Sequence, residues 1–389
     1  MLHIKEPFRL FKYVFPALLA GALAWLALMS LGATPLVRAS GLALVVVGVA
    51  LAVRRLGSAI ALSAGMILSF SPAFWSQTGG GQGEPATIII AVASALIAAL
   101  SVIAIAQTRL RRFLPSPALA LQIGMSVALV VFVALFISQI GTERSLRLTS
   151  LVVGWMSFLM IDMLLLANPH PDDSAPPILR NPDEKHLTYA QAARPYHTFG
   201  ILLLFGVGVL NDPLLSLLAP AILLSLLLTY TRLSLGYWLI FAGISAFGVY
   251  SLIQTYLIGL PYFFAFDEWR NAERWLSLLN VIINQFSFIG IGLSVLGLAR
   301  LARWYPPLGV STMVAYAAYF AFGLVYIGPN RAVLLLPLFV LQIIWMSYAA
   351  FALSEWGLKT GGKPIQRLVW GAYALLPLSL LWQILSPTT

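Results

Sequence analysis

The chain has 389 residues, of which 60% are hydrophobic and only 9% are charged. Soluble globular proteins carry about 25% charged residues, so a chain this poor in charge cannot cover itself with a water-facing surface. The net charge is +10, but the basic residues form short clusters between apolar runs rather than the stripe that is typical of nucleic-acid binding. The composition therefore predicts an integral membrane protein and excludes a nucleic-acid partner.

Apolar runs that approach the length of a membrane span follow one another along the chain. A helix needs about 20 apolar residues to cross ~30 Å of hydrocarbon. Thirteen runs meet this description, at 13–33, 36–53, 57–74, 86–107, 117–140, 147–167, 197–211, 213–230, 235–258, 276–299, 308–326, 332–354 and 368–386. The pair around 211–213 leaves one kinked helix or a re-entrant hairpin open as alternatives. The predicted fold is all-α and polytopic, with about 12–13 transmembrane helices.

The spans divide the chain into three predicted regions. Residues 1–107 hold four spans, and residues 108–196 hold two more, followed by a cytoplasmic loop rich in proline and charge. Residues 197–389 hold about seven spans. Between two of these, aromatic and charged residues in 261–275 recur at helical spacing, which predicts a short amphipathic helix lying flat at the outer interface.

The distribution of Lys and Arg predicts the orientation. With the N-terminus on the cytoplasmic side, 17 of the 23 basic residues fall in inner loops and 6 in outer loops. Cytoplasmic loops carry the excess of basic residues in membrane proteins. The sequence therefore predicts a multi-pass protein of the plasma (inner) membrane with a cytoplasmic N-terminus and an external C-terminus.

Several chemistries are excluded by the residues that are missing. The chain has no cysteine, and its four histidines are not paired at metal-ligand spacing. It also lacks a phosphate-binding G-x-x-x-x-G-K loop. One charged residue, Asp162, lies inside a predicted span, about five residues from its inner end, and is interpreted as a snorkelled or hydrogen-bonded terminal carboxylate. A single such residue gives little support to a transporter, which usually buries several ionisable groups.

Three stretches resemble a known family of membrane enzymes. The first is Phe70-Ser-Pro-Ala-Phe-Trp75 at the end of a span, with Glu84 in the outer loop beyond. The second is the polar turn Asn211-Asp-Pro213 between two helices. The third runs from Gln285 through Gly328-Pro-Asn-Arg331 into a Leu-Pro helix. Together these resemble the GT-C superfamily of multispan glycosyltransferases, in its protein O-mannosyltransferase-like branch, over about half of the chain.

The resemblance implies a sugar donor carried on a polyprenyl phosphate and chemistry at the outer face of the membrane. The arginine before the Leu-Pro helix would bind the lipid phosphate, which assigns that role to Arg331, helped by Arg270 or Arg274; anchoring to lipid headgroups is the alternative role for Arg331. No cofactor is predicted, although the resemblance allows a divalent metal if the chain is active.

The catalytic acid that the family carries in its first outer loop is absent, because residues 32–38 contain no carboxylate. Transfer to a hydroxyl group needs a base or strong electrostatic help. Glu84, Asp267 and Glu268 are the candidates for that base. Three functions therefore stay open: a glycosyltransferase, a catalytically inactive relative that serves as an accessory subunit of a membrane complex, and a transporter or lipid-handling protein.

Overall fold

The computed structural model describes residues 7–78, 146–167, 185–229, 233–266 and 269–386. The α-helices in these ranges are α1 (Pro7–Ser30), α2 (Leu36–Ala52), α3 (Ser58–Ser69), α4 (Pro72–Trp75), α5 (Leu146–Ala167), α6 (Lys185–Asn211), α7 (Ala219–Leu227), α8 (Leu235–Leu252), α9 (Ala272–Trp304), α10 (Pro306–Val325), α11 (Arg331–Leu334) and α12 (Leu336–Leu385). Three 3₁₀ segments, at Arg54–Leu56, Pro213–Leu218 and Pro261–Phe263, and one π-helical turn at Ile253–Ile258 complete the helical structure.

The structure confirms an all-α, multi-pass membrane protein. Two of the thirteen predicted spans, 86–107 and 117–140, lie outside the described residues, and each of the other eleven coincides with helical structure. Five described helices are long and apolar enough to cross a membrane, and five shorter apolar helices pack with them. Apolar residues from all three predicted regions of the chain join one hydrophobic core.

The C-terminal helix α12 is a hairpin of two helical arms. The Ser347 hydroxyl lies 3.0 Å from the Tyr373 hydroxyl, whereas a straight helix would separate residues 26 positions apart by about 39 Å. The reversal occurs at Gly362, whose φ of 73° interrupts the helix. The two arms correspond to the separate spans that the sequence predicts at 332–354 and 368–386.

The first arm of α12 is the centre of the bundle. Every residue from Leu336 to Phe351 is buried. A helix that is apolar on all sides is stable only when other helices surround it. At Gly297 of α9, the backbone comes so close to the carbonyl of Trp345 that a Cβ atom would overlap it, so this helix pair depends on a glycine.

Helix α9 is interrupted near its middle. Ser287 has φ 61° and ψ 178°, and helix continues on both sides of it. Contacts of Phe286 with Phe339 and of Trp304 with Phe351 show that α9 continues in the same direction beyond the break. The single span predicted at 276–299 is therefore one discontinuous helix.

The chain changes direction at Asp212, where the sequence left two alternatives open. Asp212 is extended, with φ −141° and ψ 107°, and it caps the following 3₁₀ segment. A Cβ atom on Gly208 would lie 2.5 Å from a methyl of Leu215, which a continuous helix does not allow. This segment is a helix–turn–helix and not one kinked helix.

The predicted amphipathic helix over 261–275 is wrong. The chain forms a 3₁₀ turn at Pro261–Phe263 and an isolated bridge between Phe264 and Tyr326, and α9 begins only at Ala272. The Ala265 amide donates to the Val325 carbonyl at 2.9 Å. This backbone pairing replaces the helix because it lets the aromatic rings pack on α10.

Contacts between the described helices define two ends of the bundle. The first, which we name the Asp212 end, contains the contacts Gln77–Ser150, Asn211–Thr149, Tyr256–Asp212, Phe264–Tyr326 and Arg331–Ser277. The second, the Asp162 end, contains the contacts of Asp162 with Arg54, Arg55 and His197. This division agrees with the alternation of spans in the sequence.

Candidate functional site

Two of the three predicted phosphate-binding arginines come together at the Asp212 end. Arg331 donates from Nε and Nη2 to the carbonyl of Gly323 and from Nη1 to the Ser277 hydroxyl at 2.9 Å. These contacts fix the guanidinium between α9 and α10. Arg274, one turn before Ser277 on α9, lies close enough to interact electrostatically with Arg331.

The electrostatics of this pair favour an anion. Burial lowers the pKa of the Arg331 guanidinium, and the neighbouring positive charge of Arg274 lowers it further. Within the described residues no carboxylate forms a salt bridge with Arg331, whose recorded acceptors are neutral oxygens. An arginine has five N–H donors, of which these contacts use three. The other two remain for a ligand such as a phosphate or carboxylate.

The third predicted arginine, Arg270, is held differently. Its guanidinium carbon lies 4.9 Å from the centroid of the Trp269 ring. The indole nitrogen of Trp275 donates to the backbone carbonyl of Trp269 at 2.8 Å. Arg270 is exposed and packs on Trp269, and Arg331 bonds to Gly323 and Ser277, so Arg270 lies outside the pair.

Close to this pair lies a buried polar cluster centred on Asp212, a residue that is 1% exposed. Its carboxylate accepts hydrogen bonds from the Leu214 amide at 3.0 Å and from the Tyr256 hydroxyl at 3.3 Å. Thr149 lies 3.5 Å from the second oxygen and accepts from Asn211 at 3.0 Å. The Asp212 carboxylate is therefore buried, and it caps the turn that begins the 3₁₀ segment.

Two unusual helical segments bring these groups together. Tyr256 lies in the π-helical turn Ile253–Ile258, and the Asp212 carboxylate begins the six-residue 3₁₀ segment Pro213–Leu218. π-Helical turns are rare and are often found at functional sites, and 3₁₀ runs longer than four residues are uncommon. Tyr319 of α10, fully buried, donates to the Leu214 carbonyl at 3.3 Å and closes the cluster.

Aromatic rings connect the Asp212 cluster with the arginine pair. The ring of Tyr256 packs edge-to-face on Phe264 and Phe322 with centroids 6.3 and 6.0 Å apart. Phe322 stacks in turn on Tyr326 at 5.0 Å. Since Phe322 precedes the glycine whose carbonyl holds Arg331, the two polar groups share one aromatic support.

The Phe-Ser-Pro-Ala-Phe-Trp stretch follows α3 directly and ends in the short helix α4. The carboxamide oxygen of Gln285, just before the break in α9, accepts a hydrogen bond from the Ala73 amide at 2.9 Å. Ser150 of α5 donates to Gln77 at 3.0 Å. Two of the stretches that carry the family resemblance therefore contact each other directly.

The Asp162 end holds a compact ionic cluster. One carboxylate oxygen of Asp162 accepts from Arg54 at 2.9 Å and from Arg55 at 3.1 Å, and the other lies 3.1 Å from Nε2 of His197. Arg54 also packs 5.0 Å above the ring of Phe158. Of the two alternatives that the sequence left open, Asp162 is the hydrogen-bonded carboxylate, and it forms salt bridges with residues distant in the chain.

A small cavity of about 30 Å³ lies between α5, α10 and the first arm of α12. Its lining is mostly apolar and includes Ser311, which is 1% exposed and whose hydroxyl has no hydrogen-bond partner among the described residues. The volume accommodates one or two water molecules. The cavity is too small for a sugar or a lipid.

The three candidate catalytic acids, Glu84, Asp267 and Glu268, lie outside the described residues. Among the residues that are described, no group of three His, Asp or Glu side chains could hold a metal ion. The connection between α1 and α2, at residues 31–35, is short and carries no carboxylate. Glu273, next to Arg274 in the first turn of α9, is an exposed carboxylate among the described residues.

Comparison with known proteins identifies no relative of this chain. No protein-family model matches the chain, and neither the curated proteins nor the solved structures contain a match.

The sequence did not identify the residues whose only part in the site is to form hydrogen bonds within the Asp212 cluster. Tyr256, Tyr319 and Thr149 are buried partners of the Asp212 cluster, but each lies within an apolar span where a single hydroxyl carries no distinctive spacing. A signal was available for the ionic cluster, because the charge distribution already places Arg54, Arg55 and Asp162 on the same side of the membrane.

Proposed function

We propose that this chain binds a polyprenyl phosphate at the Asp212 end, as a membrane glycosyltransferase of the GT-C type would bind its sugar donor. The observation that carries the proposal is the arginine pair. Arg331 is half-buried, is held by neutral acceptors and lies beside a second cation, Arg274. A phosphate between the two guanidinium groups would offset their mutual repulsion and use the remaining N–H donors.

The same proposal assigns the orientation. The Asp162 end, with Arg54 and Arg55, faces the cytoplasm, and the Asp212 end faces outward from the plasma (inner) membrane. A lipid-linked donor then meets its acceptor at the outer face. In this function Glu84, Asp267 or Glu268 serves as the base that takes the proton of the acceptor hydroxyl.

A second candidate is a catalytically inactive relative that serves as an accessory subunit. The specific observation in its favour is the short connection between α1 and α2, which lacks the acid that the resembling family carries there. If the chain is such a subunit, the arginine pair binds a lipid phosphate but no sugar is transferred.

Binding of a phosphate-bearing lipid tests the proposal directly. Decaprenyl phosphate is titrated into the full-length protein in nanodiscs, with decaprenol as the ligand that lacks the phosphate. We expect Arg274→Gln and Arg331→Gln each to weaken binding about 10- to 100-fold, since a hydrogen bond to a charged group contributes about 1.5–3 kcal/mol. Arg303→Gln, an exposed arginine at the opposite end of α9, is the matched control and should bind normally.

Equal binding of the phosphate and the alcohol would contradict the proposal. Arg331→Gln also removes the contacts with Gly323 and Ser277, so Arg274→Gln, together with the melting temperature of each variant, separates loss of binding from loss of folding. Turnover of a polyprenyl-phosphate sugar then distinguishes the two candidates. We expect Glu84→Gln, Asp267→Asn or Glu268→Gln to lower the rate about 10²- to 10⁴-fold in an active enzyme, while binding without any turnover identifies the accessory subunit.

A further inference from the structure

The central arginine of the anion site is bonded to a carbonyl at the end of α10. Both Nε and Nη2 of Arg331 donate to the Gly323 oxygen, and a carbonyl oxygen has two lone pairs. In an uninterrupted helix this oxygen would instead accept from the amide four residues later, which belongs to Ile327. Tyr326, directly after α10, is extended, with φ −83° and ψ 127°, so the helix ends before that bond can form.

The Ile327 amide donates instead to a segment that is distant in the sequence, residues 263–265, which we name the pairing segment. Its acceptor is the Phe263 carbonyl, at 2.9 Å, and the Ala265 amide donates in return to the Val325 carbonyl at 2.9 Å. The last carbonyl groups of a helix have no partner within the helix and carry a partial negative charge. The pairing segment therefore bonds to one of these carbonyls of α10, and the guanidinium of the anion site bonds to another.

Aromatic packing holds the pairing segment in place. Phe264 forms the isolated antiparallel bridge with Tyr326. The centroid of its ring lies 5.5 Å from that of Tyr326 and 6.2 Å from that of Phe322. Because Phe322 directly precedes Gly323, the rings that hold the segment are adjacent to the carbonyl that receives Arg331.

On the basis of the function proposed above, we propose that the pairing segment positions Arg331 for anion binding. While the segment accepts the Ile327 amide, the Gly323 oxygen is left to the guanidinium. With the further bond from Nη1 to Ser277, one N–H on Nη1 and one on Nη2 remain for the ligand. When the segment leaves, the Ile327 amide can extend α10 by donating to Gly323, and it then competes with Arg331 for the same oxygen.

Removal of one backbone donor tests this role. Ala265→Pro deletes the amide that donates to Val325, and Phe264, with φ −124° and ψ 128°, already has the extended conformation that a residue before proline prefers. Ala265→Ser keeps the amide and is the matched control. Because pairing and anion binding are linked, the proline variant in nanodiscs should bind decaprenyl phosphate about 2- to 10-fold more weakly, the effect of about one hydrogen bond. The serine variant should bind normally.

The Arg331→Gln background separates positioning from a general structural effect. If the pairing segment acts through Arg331, Ala265→Pro should cause no further loss of affinity in that background, since the two substitutions then remove the same interaction. An equal loss of affinity in both backgrounds would show that the segment acts independently of Arg331, and it would overturn the proposal.

A measurement without lipid keeps this test apart from that of the proposed function. In the ligand-free protein, Arg331→Gln should accelerate hydrogen exchange over residues 261–266 about tenfold, because the vacated Gly323 carbonyl lets α10 extend and release the segment. Exchange in the first arm of α12 should stay the same, and Arg303→Gln should change neither. Unchanged exchange over 261–266 overturns the proposal even if decaprenyl phosphate binds. Faster exchange in a protein that binds no decaprenyl phosphate supports the coupling of the segment to Arg331 and contradicts the proposed ligand alone.

Discussion

Asp162 and Asp212 are both nearly inaccessible to solvent, yet they are stabilised by different groups. Asp162 receives two guanidinium groups and a histidine, whereas a backbone amide and a tyrosine hydroxyl donate to Asp212. An ion pair taken out of water gains stability only when its partners stay in place. The salt bridge at Asp162 joins three separated parts of the chain, so its loss affects the whole bundle.

We expect Asp162→Asn to lower the free energy of unfolding by about 3 kcal/mol. Removal of one partner from a buried ion pair costs about 3–5 kcal/mol, and the lower value applies because Arg54 and Arg55 retain 21% and 19% side-chain exposure. The measurement is reversible denaturant unfolding of the purified protein in detergent.

The matched control is Glu273→Gln, which removes a carboxylate from the exposed first turn of α9. An acid near a helix N-terminus contributes about 0.3–1 kcal/mol, so this variant should remain close to wild type. Similar losses for both substitutions would show that the Asp162 cluster contributes no more than an ordinary surface charge.

At the scale of helices, the sequence predicts where the described spans lie, but it does not predict where a helix is interrupted. Apolar length alone located the eleven described spans, because crossing a bilayer requires it. The break at Ser287 has no such signal, since neither proline nor glycine occupies that position. The bond from Ala73 to Gln285 accompanies the break and joins residues 212 positions apart. The helix predicted over 261–275 does not form for a related reason. The backbone of residues 263–265 bonds instead to residues 325–327, which are distant in the sequence.

The strain at Ser287 gives a second prediction. A φ of 61° with a ψ of 178° belongs to a region that is almost exclusive to glycine and costs other residues about 1–3 kcal/mol. Ser287→Gly should therefore stabilise the protein by about 1 kcal/mol, after subtraction of the ~0.5–1 kcal/mol that glycine loses in conformational entropy. The melting temperature in detergent is the readout.

Ser287→Ala is the control for this substitution. Alanine also removes the hydroxyl, but it keeps the Cβ atom that causes the strain, so its stability should match that of the wild type. If alanine and glycine stabilise equally, the benefit comes from removing a hydroxyl from the lipid-facing surface, and the backbone explanation is wrong.

For the whole molecule, the proposed orientation predicts which surfaces are accessible from outside. Single cysteines at Arg270 and Pro329 should react with an impermeant maleimide added to intact cells, because both positions are exposed at the Asp212 end. A cysteine at Lys363, beside the reversal in α12, should react only after the membrane is opened. Labelling of Lys363 and Pro329 from the same side would contradict the proposed topology.

The candidate site was only partly predictable at this scale. Arg331 was selected through the family resemblance, and Arg274 was added as one of the six basic residues in the predicted outer loops. Their proximity depends on how α9 and α10 pack, and on the Gly323 carbonyl that receives Arg331. Hydropathy reports which residues enter the membrane, but it does not report which helices become neighbours.

The central position of the first arm of α12 has a consequence for biosynthesis. α3 packs on this arm through the core, although about 280 residues separate them along the chain. Ribosomes add about 5–20 residues per second, so α3 is in the membrane for about 15–55 s before its main partner has been made. During that interval the earlier helices lack their centre and expose faces that are buried in the native state. A ribosome that stops before Leu336 would therefore leave a set of inserted helices without a core, which quality-control proteases should recognise.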